Sequence, residues 1–298
     1  MIPLIYHPIY SQLELPEGHR FPIGKYQGLY EKLCHHGVAP LQFVRPKALT
    51  LAQISGVLCP AYLKHFVAGT LDGVAIRRIG FPWSEQLVTR TFTAVAGTIL
   101  AGVLALEEGR AINLSGGYHH AFYNYGSGFC IINDLYLCAL NLLARPGVQR
   151  VLIFDCDVHQ GDGTASLAQG RDDIVTVSIH GEKNFPFHKQ ASDLDVPLPK
   201  GVRDDEYLSC VDRTLARAIA EFRPDVVIYD AGADIHCADE LGHFEISDEG
   251  VLARDHLVFA HCDRAGLPVA AVMGGGYQRN VPALVNVHFL LFKAALGL

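Results

Sequence analysis

The eight cysteines of this 298-residue chain include no C-x-x-C pair, which argues against a structural zinc ribbon and a thioredoxin-like redox site. Cys59, Cys130 and Cys156 instead sit inside apolar segments, where small, buried, reduced thiols are expected. No lysine or arginine block marks a nucleic-acid face. The 24 basic residues are scattered among 31 acidic ones, for a net charge of −7, and no direct nucleic-acid partner is expected. A mildly acidic surface would suit a cationic substrate, although many cytosolic enzymes share this balance. No apolar run is read as long enough to cross a bilayer. Met1-Ile2-Pro3-Leu4-Ile5-Tyr6 lacks the basic n-region and long apolar h-region of a signal peptide and reads as a first buried strand. The expectation is therefore no membrane partner and a cytoplasmic location, or a nuclear one in a eukaryote. No linker, repeat or low-complexity segment divides the chain, so residues 1–298 are read as one domain.

What the sequence does contain is core. Half the residues are hydrophobic and only 18% are charged. Short β-branched runs alternate with amphipathic stretches, the pattern of an α/β fold with a parallel sheet covered on both faces. Strands are predicted at Ala111–Leu114, Val151–Phe154, Ile174–Ile179, Val226–Tyr229 and Val269–Met273. Phe92, Val95, Ala96, Ile99, Leu100, Val103 and Leu104 recur at helical spacing, and that helix should stop at Gly109. A second stripe, Leu208, Val211, Leu215, Ile219 and Phe222, precedes Arg223-Pro224. A third helix is expected from about Glu249 to Arg264. Thr50 to Gln53 has the form of a capping box, and Pro60 could open another helix. Glycines cluster just after the predicted strands, at Gly116-Gly117, Gly161, Gly163, Gly232 and Gly274-Gly275-Gly276. Ligands of parallel α/β sheets bind at that edge.

The polar residues at that edge suggest a metal centre. After Val151–Phe154 comes Asp155-Cys-Asp157-Val-His159. In an extended segment, alternate side chains share a face, so Asp157 and His159 could point to one ion. Asp234 follows the strand at Val226 and would be a third ligand. Two carboxylates and one imidazole suit a first-row metal and leave positions for water and substrate. The competing reading is that Asp157 and Asp234 merely cap helices. His119 and His120, on the glycine-rich loop after Ala111–Leu114, could take and return protons near neutral pH. Asp155 and Asp162 are placed to fix their tautomers. Otherwise the pair is simply two exposed loop histidines. Tyr277, after three glycines, either donates to a developing oxyanion or covers a tight turn.

With these motifs in hand, the chain resembles the histone deacetylases, whose superfamily includes acetylpolyamine amidohydrolases and arginases. The stretches carrying the resemblance are SGGYHHA (115–121), SGFCIIND (127–134), DCDVHQGDGT (155–164), TVSIH (176–180), YDAGADI (229–235) and GGGYQ (274–278), with weaker similarity at HRFPIGKY (19–26). The resemblance implies a single α/β domain on a largely parallel sheet of roughly eight strands. It implies Zn2+, with Fe2+ as the alternative, on Asp157, His159 and Asp234. His120 would be the general base, with His119 its electrostatic partner. Asp162 would support His120 and Asp155 would support His119. Tyr277 would polarise the carbonyl. Phe129 and Phe185 would wall the substrate channel, with Gly128 and Gly275 beside them. A structural K+ would bind the backbone carbonyls of Asp155, Asp157 and His159 together with Ser178. The implied substrate is an acylated lysine on a protein or peptide, or an acetylated small amine, and hydroxamates should inhibit. Gln160 and the segments 96–114 and 224–235 resemble class IV members most closely. Tyr118 departs from the usual Trp or Phe, and Asp162 is Asn in some class IV members. An arginase-like dinuclear centre is disfavoured because a single three-ligand group is read from the sequence.

Overall fold

The computed structural model describes residues 1–298. Eight strands form one sheet: β1 Leu4–Ile5, β2 Phe43–Val44, β3 Arg110–Asn113, β4 Val151–Asp155, β5 Ile174–Gly181, β6 Leu194–Leu198, β7 Val226–Asp230 and β8 Val269–Val272. Their order is β2-β1-β3-β8-β7-β4-β5-β6, and every pairing is parallel. The five strands predicted from the sequence are all present, with ends shifted by a residue or two. Met1–Tyr6 does contain the first buried strand, β1.

The helices are α1 Lys25–His35, α2 Leu51–Ile54, α3 Pro60–Ala68, α4 Gly73–Ile79, α5 Glu85–Glu108, α6 Asp134–Leu143, α7 Asp162–Ala168, α8 Asp204–Phe222, α9 Asp248–Ala265 and α10 Val281–Leu296. The central strands are apolar at nearly every position because both faces are covered. Val151 and Ile153 of β4 pack in one core with α6, whereas Leu152 and Phe154 pack in the other with residues of α8, α9 and α10. Strand alternation thus feeds two cores from one continuous hydrophobic run.

α5 is capped by the Ser84 side chain, which accepts from Leu87 N, and stops at Gly109 in the left-handed conformation. This helix corrects one sequence expectation. Its 24 residues are long and apolar enough to cross a membrane by length and composition, but two-thirds of its most apolar window is buried. It packs on β3, β8 and α6, which explains the apolar composition. In α8 the buried line runs through Tyr207, Cys210, Val211, Leu215 and Ala218. The expected Leu208, Ile219 and Phe222 are only half-buried beside it. The Thr50 backbone N–H donates to the Gln53 side chain, completing the capping box of α2. Pro60 opens α3. All eight cysteines are unpaired; Cys130 and Cys156 are buried and Cys59 half-buried.

Parallel strands put all their carboxyl ends at one edge of the sheet. Asp155 and Asp230 stand opposite each other on the last rung of β4 and β7, and Ser178 of β5 stands opposite Asp155 on the other side. The loops leaving β3, β4, β7 and β8 therefore meet there.

Candidate active site

The loop after β3 is shaped by Gly116 and Gly117, with φ of 97° and 81°. Asp134, the first residue of α6, accepts from Gly117 N and Tyr118 N (3.1 and 2.7 Å) and from the Thr98 hydroxyl. That clamp delivers His119 and His120 inward, and each is only 3% exposed. They are not exposed loop histidines. His119 Nδ1 lies 2.7 Å from Asp155 Oδ2, and His120 Nδ1 lies 2.6 Å from Asp162 Oδ1. Both supports expected from the sequence are in place.

The two imidazoles titrate in opposite directions. Burial pushes His119 down, but the charges of Asp155 and Asp157 outweigh it and hold His119 well above the usual range. Burial and the neighbouring His119 charge push His120 down to about 4, with Asp162 opposing. Near neutral pH His119 is a cation and His120 a neutral imidazole. With its Nδ1 facing Asp162, the Nε2 of His120 is the acceptor.

Asp157, His159 and Asp234 converge as expected, though by a different local geometry. β4 ends at Asp155, and residues 157–159 form a bend rather than an extended segment. The bend is fixed by side-chain acceptors: Asp155 Oδ1 takes Asp157 N at 3.0 Å, and Asp157 Oδ1 takes His159 N at 2.9 Å. Short acidic side chains compete with the sheet ladder in this way. His159 Nδ1 lies 2.9 Å from Asp157 Oδ1 and 3.1 Å from Asp234 Oδ2. Neither aspartate caps a helix, since Gly161 and Ser247 occupy the N-cap positions of α7 and α9.

The donor set fits a divalent first-row metal. Two buried carboxylates and one imidazole nitrogen face one another with all three ligand atoms within 4.8 Å. Gly275 closes the cradle. Its N–H donates to Asp157 Oδ2 at 2.8 Å, and a Cβ there would collide with carboxylate oxygens of both Asp157 and Asp234. The buried carboxylates draw positive charge. Burial lowers His159, but its hydrogen bonds to Asp157 and Asp234 outweigh this and raise it to about 10. Burial and the Asp157 charge push Asp234 up to about 7.

A second group with the same composition corrects the expectation of a single three-ligand site. His119, Asp155 and Asp230 are all buried and present ligand atoms within 4.8 Å of one another. His119 and Asp155 already pair. Both oxygens of Asp230 are buried without a hydrogen-bond partner, and burial, then the Asp155 charge, holds its pKa well above the usual range. The Ser178 hydroxyl, expected at a potassium site, lies 3.0 Å from His180 Nδ1.

A cavity of about 460 Å³ leads to these groups, and its lining includes His120, His159, Phe129, Phe185, Gly128 and Tyr277. Gly275 lines a smaller space behind Tyr277. Phe129 has a φ of 66°, a costly conformation for a non-glycine residue. It is held because Gly128 N and Phe129 N donate to the carbonyls of Arg78 and Ile79. Phe185 packs edge-on against the His120 ring, with centroids 4.8 Å apart. The Tyr277 backbone N–H donates to Asp239 Oδ2 at 2.7 Å, while its ring lines the cavity. Burial keeps its phenol protonated, so the hydroxyl is a donor. Surface cavities of about 470 and 640 Å³ elsewhere hold no such cluster.

Two supporting residues escaped the sequence reading. Lys25, 1% exposed, lies 3.3 Å from the carbonyls of both Gly274 and Gly276 and so ties down the loop carrying Tyr277. Burial lowers it to about 8. Arg254 of α9 donates to Gly232 O at 2.6 Å and Ala231 O at 3.3 Å, fixing the segment between β7 and Asp234. Its partner Asp255 also accepts from the Tyr229 hydroxyl. The only hint in the sequence is a charged pair inside a helix, which carries no address for its partners.

Residues 19–290 match the histone deacetylase domain family. The chain is 47% identical over 294 residues to an uncharacterized protein of Picosynechococcus, covering 98% of both chains. It is 33% identical over 234 residues to histone deacetylase 2 of Arabidopsis thaliana, covering 78% of this chain and 57% of that one. It is 30% identical over 278 residues to the acetoin utilization protein AcuC of Staphylococcus aureus, covering 85% and 71%.

Proposed function

Because the chain belongs to the histone deacetylase family, we propose that it is a metal-dependent deacylase that hydrolyses Nε-acyl-lysine amides, acetyl-lysine foremost. The observation that carries this reading is convergence. Loops from the ends of β3, β4, β7 and β8 bring His120, His159 and Tyr277 to one cavity, with Asp157 and Asp234 against His159 and His119 against His120.

Zinc, or iron(II) in its place, would be held by Asp157, His159 and Asp234 and would supply Lewis acidity to the acyl carbonyl and a more acidic water. The residues of the chain do the rest. Neutral His120 accepts the proton of the attacking water through Nε2, while Asp162 holds its Nδ1–H. Cationic His119, fixed by Asp155, stabilises negative charge as the tetrahedral oxyanion forms. The Tyr277 hydroxyl donates to that oxyanion. His120 then returns its proton to the leaving amine. Phe129 and Phe185 flank the acyl-lysine stem and exclude water, and Lys25 keeps Tyr277 in register.

The reading extends to residues 1–298 as one catalytic domain of class IV type. K+ would be held by the backbone carbonyls of Asp155, Asp157 and His159 with Ser178, which stands opposite Asp155 in the sheet. A panel of acyl-lysine peptides and acetylated polyamines, assayed by product release on purified zinc-loaded enzyme, tests the proposal. Turnover of acetyl-lysine peptides that a hydroxamate blocks supports it. Turnover of acetylated polyamines alone would replace it with a small-amide amidohydrolase. A dinuclear hydrolase is the second reading, favoured by the His119, Asp155 and Asp230 group, and metal stoichiometry separates the two.

A further inference from the structure

The chain carries a net charge of −7, yet no aspartate or glutamate lines the cavity that leads to the candidate site. Its lining contains two permanent cations, Arg78 and Lys183, both exposed. Neither lies within ion-pair distance of a carboxylate anywhere in the chain. The Arg78 guanidinium lies 4.7 Å over the Tyr125 ring, a contact that orients it and leaves its charge unneutralised. The carboxylates on the neighbouring 239–240 turn are already engaged. Asp239 accepts from the backbone N–H groups of Tyr277, Leu241 and Gly242. Glu240 is paired with Arg279 and Arg20. Lys189 donates to the carbonyls of Asn184 and Pro186, in the loop that carries Phe185. Phe187, 87% exposed, lines the same cavity.

Resting on the deacylase reading above, we propose that the two rim cations select an acyl-lysine whose flanking residues are acidic, and that they disfavour polycationic substrates such as basic tails and acetylated polyamines. The charges stand at solvent-exposed positions while the histidines and carboxylates lie buried. They therefore read the groups that remain outside the channel when the acyl-lysine is inside. Local potential at the mouth, rather than net charge, governs which substrates approach. The overall negative charge of the chain would have suggested the opposite preference.

The test compares kcat/KM for acetyl-lysine peptides of one length with acidic, neutral or basic flanks, together with acetylspermidine and free Nε-acetyl-lysine. An exposed ion pair is worth about 0.2–1 kcal/mol, which converts to roughly 1.4- to 5-fold for each rim cation. The acidic peptide should therefore exceed the neutral one by a factor of up to about 25 and the basic one by more, ratios that shrink at high salt. In Arg78→Gln/Lys183→Gln the acidic-to-basic ratio should collapse toward one. In Arg78→Glu/Lys183→Glu it should invert. Because the readout is a ratio within each enzyme, a general loss of activity does not mimic the effect. Wild-type enzyme with equal rates on all flanks, or with a preference for the basic peptide or acetylspermidine, would overturn the proposal. Superior turnover of free Nε-acetyl-lysine would overturn the flanking-residue assignment and point to a small anionic substrate. Failure of the deacylase reading looks different: no peptide is cleaved whatever its flanks, and the rim assignment falls with it.

Discussion

His119 and His120 are adjacent in sequence, with ring centroids 4.1 Å apart, yet near neutral pH one is a cation and the other neutral. Asp155 and Asp157 surround His119 with negative charge, and burial, together with that positive neighbour, depresses His120. Acid–base chemistry benefits from this division, since a neutral base and a fixed cation stand side by side without sharing a proton.

His120→Ala should lower kcat more than His119→Ala, although loss of either should cost about 10²-fold or more. Metal content, read by elemental analysis, should stay near wild type in both. Wild-type turnover in His120→Ala across the pH range would move the base elsewhere.

The pH profile follows from the same shift. The base works only when neutral, and His120 is lowered to about 4. The acid limb of kcat/KM should therefore lie well below the ordinary histidine range, with activity falling as pH drops through about 4. Asp162 opposes the depression, so Asp162→Asn should move the limb lower still. A limb centred near the ordinary histidine value of about 6.5 would contradict the burial argument.

Asp157→Ala and Asp234→Ala should each abolish turnover and reduce bound metal, which should be close to one zinc or iron per wild-type chain. Gly275→Ala should have a similar effect without removing a ligand, because its Cβ collides with both carboxylates. Full metal retention in Gly275→Ala would show that the loop can shift away. Two metals per wild-type chain would favour the dinuclear reading, with the His119, Asp155 and Asp230 group as the second site.

Tyr277→Phe keeps the ring and removes one donor, so kcat should fall about 10²- to 10³-fold. KM should change much less, since the interaction grows in the transition state. Activated esters and trifluoroacetyl amides should suffer less than acetyl-lysine. An unchanged kcat on acetyl-lysine peptide would return this residue to covering a turn.

Arg254→Met removes a guanidinium that is 1% exposed and leaves buried Asp255 without its counter-ion. Breaking such a pair costs about 3–5 kcal/mol, measurable as a fall in thermal midpoint. Arg254→Met/Asp255→Asn should recover part of that stability. Metal affinity should stay weakened in both variants, because the carbonyls of Ala231 and Gly232 lose their donor. Recovery of affinity together with stability would reduce Arg254 to a core residue.

Local signals in the sequence carried the fold class and the address of the site. Continuous apolar runs such as Val151–Phe154 mark strands covered on both faces, and glycines after them mark the edge where parallel strands end. Asp157, His159, Asp234, His119, His120 and Tyr277 were legible because each follows a strand, and parallel pairing brings strand ends together. The bend at residues 157–159 was not legible, because side-chain acceptors override alternation there. The stripe of α5 was legible, but its membrane-like length and apolarity were not, and packing on β3, β8 and α6 accounts for them. The opposite titration of His119 and His120, the unpartnered Asp230, the clamps from Lys25 and Arg254 and the cationic rim all depend on burial and on neighbours tens to hundreds of residues away. Periodicity is a local property of the chain. Electrostatics is a property of what the fold sets side by side, and only the tertiary structure decides that.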